Sequence, residues 1–121
     1  MTIGEVLSKI DSLKPNTYTQ EEKIGWLNQV ETMIKKEIID THLPPVVFVG
    51  YTADTDPDTV LIAASPYDNL YVSWLESRID YYQGEYGKYN NSNAVFTAEY
   101  QAYHNWYNRN HEPIGTHFRY F

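Results

Sequence analysis

Few residues in this sequence have types and spacing that could do chemistry, and Asp54, Asp56 and Asp58 come first among them. Carboxylates at alternate positions open a calcium loop, because a hard cation needs oxygens arriving from several directions around a tight turn. Such a loop also needs Gly at its sixth position and Glu at its twelfth, which here are Thr59 and Ser65. The run therefore reads as a solvated acidic turn. The histidines are His42, His104, His111 and His117, with no His-x3-His pair and no HExxH arrangement among them, so their spacing gives zinc no ligand set. Glu21 and Glu22 could serve acid–base work only in a cleft that perturbs one of them, and two acids at a helix start are explained by the free amides there. The sequence holds no nucleophile elbow, no phosphate-binding Gly-rich loop and no dinucleotide fingerprint. The expectation is a chain that is not an enzyme and that uses no metal and no cofactor.

The aromatic residues say more. Twelve Tyr, three Trp and four Phe are more rings than a chain of 121 residues needs for a small core. Core filling accounts for Trp26, Leu75, Ile79, Phe96 and Tyr103. Tyr67, Tyr71, Trp74 and Tyr81 make a separate stripe, and the sequence ends Phe118-Arg119-Tyr120-Phe121. Tyr, Trp and Arg are enriched where proteins meet, which makes these eight residues the candidates for a subunit or partner interface. The terminal aromatics would be a liability left in water and are expected to dock, on this subunit or on another.

The elements that must hold these residues follow from periodicity. Thr2 with Glu5 is a capping box, and Ile3, Val6, Leu7, Ile10 and Leu13 make one helical stripe before Lys14-Pro15-Asn16 ends it. Thr19 with Glu22 opens a longer helix with Ile24, Leu27, Val30, Ile34 and Ile38 on one face, stopped by Leu43-Pro44-Pro45. These two helices read as an antiparallel hairpin. Over residues 44–65 the helical period disappears, and Val46–Val49 and Thr59–Ile62 flank the acidic turn, so a small β-hairpin or an extended loop fits. The segment's charges are Asp54, Asp56 and Asp58 alone, and a loop this long is usually functional; it is expected to face a neighbouring subunit or a channel.

Ser65-Pro66 reads as an N-cap with Pro at the first helical position, opening a third helix from Tyr67 to about Tyr86. Val72, Leu75, Ile79, Tyr82, Tyr86 and Tyr89 form one stripe beside the aromatic one, wide enough to require burial on two sides. Gly87 to Ser92 is expected to close that helix and cap a fourth, in which Phe96, Tyr100, Tyr103 and Tyr107 share a face and which ends near Asn110. Periodicity fails after His111. The fold class is therefore all-α: a small bundle of about four helices over residues 1–111 with an inserted loop at 44–65, followed by an extended tail at 112–121.

Sixteen Asp and Glu against nine Lys and Arg give a net charge of −7, which argues against a static grip on nucleic acid, since phosphate neutralisation supplies that affinity. Without cysteine there is no disulfide or thiolate chemistry. The opening lacks a basic segment followed by an apolar run, and no stretch approaches the ~18 apolar residues of a membrane span. Synthesis in the cytoplasm and no membrane association are expected.

Pro66-Tyr67-Asp68-Asn69-Leu70-Tyr71, Ile79-Asp80-Tyr81, Gly84-Glu85, Tyr89-Asn90-Asn91-Ser92, Phe96 and Asn105-Trp106-Tyr107-Asn108-Arg109 closely resemble head-to-tail connector (adaptor) proteins of long-tailed phages and prophages of Gram-positive bacteria. Thr2-Ile3-Gly4-Glu5-Val6, Leu13-Lys14-Pro15-Asn16 and Trp26-Leu27-Asn28 resemble the way such proteins begin, so the resemblance spans nearly the whole chain. It implies a helical virion protein, made in the host cytoplasm, that forms a ring of about twelve copies beneath the portal protein. Its partners would be portal, a stopper or tail-completion protein and itself, with DNA only in non-specific passage. The resemblance supplies no catalytic residue. Val46 to Gly50 and Val60 to Ala63 are more apolar than a plain loop in such connectors. The other reading open to the sequence is a prophage-encoded module that sequesters a host or phage protein through the same aromatic face.

Overall fold

The computed structural model describes residues 1–114. The calls on Phe118, Arg119, Tyr120 and Phe121, and on His117, lie outside the described residues. Four α-helices follow one another: α1 (Ile3–Leu13), α2 (Gln20–Glu37), α3 (Asn69–Tyr82) and α4 (Tyr86–Asn110). The fold is a small all-α bundle, and α3 is its centre. Leu70, Tyr71, Val72, Leu75 and Ile79 are buried together with Ser73, Ser77 and Asp80, so α3 up to its last turn is covered on most sides, as its wide apolar surface requires. Its main partner is the antiparallel α4, while α1 and α2 lean on its other side and touch each other less than either touches α3. The expected pairing of α1 with α2 is thus secondary to their shared packing on α3.

Helix α1 starts as the sequence dictates. Thr2 Oγ1 accepts from Glu5 N and Glu5 Oε1 accepts from Thr2 N, each at 3.1 Å. Leu13, counted in its apolar stripe, is 54% exposed. In α2 the Thr19 hydroxyl caps Glu22 N at 3.1 Å. The helix stops at Glu37, well before Pro44: Thr41 Oγ1 donates to Ile38 O at 2.8 Å and His42 Nδ1 sits 2.7 Å from the same carbonyl. Side chains satisfy the last carbonyls, and a short 3-10 turn, Ile39–Thr41, leads out.

Residues 44–65 form no β-hairpin. The run Thr59 to Leu61 lies instead along the chain's own start, with Ile3 N donating to Thr59 O at 3.0 Å, Gly4 N to Pro57 O at 2.9 Å and Leu61 N to Met1 O at 3.1 Å. The free first-turn amides of α1 are partners that Val46–Val49 could not outcompete. A side chain at Gly4 would place its Cβ 3.3 Å from Pro57 O, a tight contact that glycine avoids. Leu61 and Ala63 enter the core, whereas Val47 and Val49 are 90% and 93% exposed.

Two boundaries differ from the periodicity. Ser65 does not cap α3: the chain first makes turns, with Tyr67 N on Ala64 O and Tyr71 N on Asp68 O, and the helix begins at Asn69. At its far end the break is Gly84, not Gly87. Gly84, at φ +76°, donates to Tyr81 O at 3.1 Å and Glu85 N donates to Asp80 O at 2.9 Å, the paired bonds of a Schellman cap. Tyr86, expected at the end of α3, and Gly87 to Ser92, expected to close it, therefore belong to α4. Finally, Leu43 N bonds Glu112 O at 2.8 Å and Ile114 N bonds Thr41 O at 2.9 Å, so residues 112–114 pair with the end of the α2 segment and the tail's first residues are part of the fold.

Candidate functional site

Glu31 on α2 is a carboxylate with no solvent exposure. Its Oε1 accepts from Tyr71 OH at 2.6 Å, and its Oε2 accepts from Tyr51 OH at 2.7 Å and from Ile62 N at 2.9 Å. Tyr71 OH in turn accepts from Ala63 N at 2.8 Å. One helical turn earlier, Asn28 Oδ1 takes Tyr51 N at 2.8 Å. Asn28 and Glu31 on α2 thus fasten the long loop at Tyr51 and Ile62, Tyr71 of α3 holds Ala63, and the stretch before Tyr51 is left outside the clasp. Burial pushes the Glu31 carboxyl up from its ordinary value against the pull of its donors, and burial and the Glu31 carboxylate push both phenols well above theirs, so the tyrosines stay donors. This assigns Tyr71 to the core: spacing made it an interface candidate, but its ring is fully buried and its hydroxyl is spent on Glu31.

The remaining interface candidates separate. Tyr67 packs between Tyr103 and Trp106 at 5.8 and 5.5 Å. Trp74 lies against Phe96 at 5.1 Å and donates its indole N–H to Trp26 O at 2.7 Å. Both are half-buried supports of the core. Tyr81, by contrast, is exposed, together with Tyr82 and Tyr86, which periodicity had placed in the core. They are exposed because Gly84 ends α3 beneath them and turns the chain. Tyr82 stacks on Trp26 with centroids 5.5 Å apart, and Tyr81 meets Tyr86 and Tyr89 edge-on at 6.1 and 5.4 Å. Into this elbow reaches Arg78, its guanidinium 4.3 Å from the Trp74 ring centre and within 6 Å of the Tyr81 and Tyr89 rings. Arg78 was not among the candidates; its position four residues after Trp74 and three before Tyr81, on the same face, was the available signal.

Between α3 and α4 runs a polar groove lined by Lys14, Asn69, Ser73, Glu76, Asp80 and Ser92, among others. Its carboxylates hold one another's elements rather than facing solvent. Glu99 accepts from Ser73 Oγ and, at 2.8 Å, from Asn69 Nδ2. Asp80, almost fully buried, accepts from Ser92 Oγ at 2.9 Å. Lys14 Nζ lies 2.8 Å from its other oxygen, an ion-pair distance without hydrogen-bond alignment. Glu76 is pushed above its ordinary value chiefly by burial, with Lys14 opposing and Asp80 and Glu99 adding to the rise. These bonds fix the register of α1, α3 and α4.

Asp54, Asp56 and Asp58 are exposed. The Asp56 carboxylate turns back to accept from Asp58 N at 2.9 Å, the Asx-turn use of this residue type. Among the described residues no three His, Cys, Asp or Glu side chains converge as metal ligands. His42 is buried edge-on against Tyr107, and His111 stacks on the other side of that ring system at 3.7 Å. His104 and His111 do not share one environment, since His104 meets Tyr100. No helix of the described residues is long and apolar enough to cross a membrane. No family model, no curated protein and no solved structure matches this chain.

Proposed function

We propose that this chain is a virion structural subunit, a head-to-tail connector that forms a ring between the portal protein and the tail. The observation that carries the reading is the segment Val46–Val49. It has no regular secondary structure and makes no backbone–backbone hydrogen bond among the described residues, and it exposes Val47 and Val49 almost completely. Unpaired backbone bearing apolar side chains is a template for another chain, and the described bundle has no use for these two valines. The Tyr81–Tyr82–Tyr86 elbow adds a second sticky surface of the composition found at interfaces. A net charge of −7 suits a channel wall past which DNA slides without adhering. On this reading the chain is not an enzyme, its partners are portal, stopper and copies of itself, and its place is the head-tail junction.

The test is binding of the purified chain to portal and stopper proteins from the same gene cluster, with mass measured by light scattering before and after mixing. A ring-sized complex with portal supports the connector. A chain that ignores both yet binds one cellular protein tightly as a monomer is instead a sequestering module.

A further inference from the structure

We infer that the Arg78 elbow is the receiving surface for the acidic turn, Asp54 to Asp58, of a second copy of this chain. Arg78 is the pivot. Among the described residues no carboxylate forms an ion pair with it, although acids outnumber bases sixteen to nine in the chain. Its one hydrogen bond runs from Nε to Ser77 Oγ at 3.4 Å, which leaves the outer edge of the guanidinium unspent. Trp74, Tyr81 and Tyr89 hold the plane in place. A guanidinium preorganised on aromatic faces loses little freedom when a carboxylate meets it with two parallel bonds.

The acidic turn has the complementary deficit. Asp54, Asp56 and Asp58 are exposed and none is ion-paired among the described residues. The turn cannot fold onto the elbow of its own chain. Pro57 and Thr59 are bonded to the first amides of α1, and Met1 N lies 3.3 Å from Asp68 Oδ2 just before α3; the turn therefore stands at the starting end of both α1 and α3. Arg78 and Tyr81 stand at the finishing end of α3, where Lys14, just after α1, reaches Asp80. With ~1.5 Å of rise per residue, the distance along α3 from Asn69 to Arg78 puts the two features roughly 14 Å apart on the helix axis. A donor at one end and a receiver at the other can meet twice across a two-fold axis and close a dimer, or meet once per neighbour in a head-to-tail contact that closes into a ring or extends without limit according to the rotation between copies; the ring reading calls for the head-to-tail arrangement.

This contact deepens the ring reading, and the two fail separately, because it is tested on the chain alone. Sedimentation velocity is run on the full chain up to about 1 mM, at low salt where charge steering is least screened, and in parallel on Arg78→Gln and on Asp54→Asn/Asp58→Asn, which spares the Asp56 carboxylate that holds the turn. Wild type is expected to grow beyond the dimer and to dissociate as salt rises; each variant associates at least about tenfold more weakly. Mixed one to one, the variants form a dimer that stops at two, since each lacks a different half of the contact. Wild type that stays monomeric, or a mixture no larger than its components, overturns the contact, and a wild-type dimer that grows no further overturns its head-to-tail arrangement. Portal binding retained in such a case leaves the connector reading standing; growth without portal binding leaves the contact standing alone.

Discussion

A carboxylate surrounded by apolar side chains is tolerated only while its neighbours donate to it, and Glu31 has three donors within 3 Å. Glu31→Ala strands two phenols and one backbone amide, so a loss of about 3 kcal/mol or more is expected in urea unfolding. The pH dependence has a definite sign. Burial raises the Glu31 pKa in the folded chain, so the folded state holds that proton more tightly than the unfolded state does. The stability this contributes is present below the ordinary carboxylate range and is lost as pH rises through the raised folded value. In Glu31→Gln nothing titrates at this position. The advantage of wild type over Glu31→Gln should therefore shrink from about pH 4 toward neutrality; an advantage that grows over that range would mean that the three donors outweigh burial. Ile79, with no exposure, tests the apolar side of the same core: Ile79→Asp should abolish cooperative unfolding.

At the scale of elements, caps decide where helices begin and end, and the two glycines near the α3–α4 junction separate two effects. Gly84 has φ +76° and Gly87 does not, while a Cβ at either meets nothing within 4 Å. Gly84→Ala should cost about 1 kcal/mol from backbone strain alone, and Gly87→Ala, inside the first turn of α4, should stabilise by up to about 1 kcal/mol; thermal unfolding of the pair reads both signs. The same junction explains what the sequence made legible. Four helices, the capping box at Thr2, the Thr19 cap and the Phe96, Tyr103 and Tyr107 face follow from local spacing and are found. Gly84 was passed over because apolar spacing runs on through Tyr86 and Tyr89, and periodicity cannot see a left-handed residue. The possible hairpin does not form because the second β-branched run, Thr59 to Ile62, finds partners far away in sequence, at Met1 to Gly4 and on α2, while Val46 to Val49 makes no backbone bond among the described residues. Glu31 could have been found: an acid between Leu27 and Ile34 on an apolar face requires a partner. Tyr71 and Tyr82 traded places between core and surface for the same reason, since which side of a wide stripe is covered depends on neighbours that spacing does not name. Residues 112–114 are a further non-local case. Ending the chain after His111 should leave a folded bundle but lower its stability by about 1–3 kcal/mol in thermal or urea unfolding, because the bonds from residues 112–114 to Thr41 and Leu43 are then lost.

For the whole molecule, the question is which surfaces fold the chain and which are left for something else. Val47 and Val49 are outside the Glu31 and Asn28 clasp and almost fully exposed, so the bundle gains nothing from them. Val47→Glu/Val49→Glu should accordingly change the unfolding free energy by no more than about 0.5 kcal/mol. Assembly responds differently if the segment is covered in a ring. Burying each valine is worth about 1.5 kcal/mol, so replacing both removes about 3 kcal/mol per contact, which is roughly a hundredfold in affinity, before the cost of bringing two carboxylates into an apolar interface is added. In a ring the loss repeats at every subunit. Portal-templated assembly of the double variant, followed by light scattering, should therefore fail at concentrations where wild type is complete, while its circular dichroism and urea midpoint match wild type. Unchanged assembly would place these valines outside every contact of the ring and leave the exposed segment without a role in it.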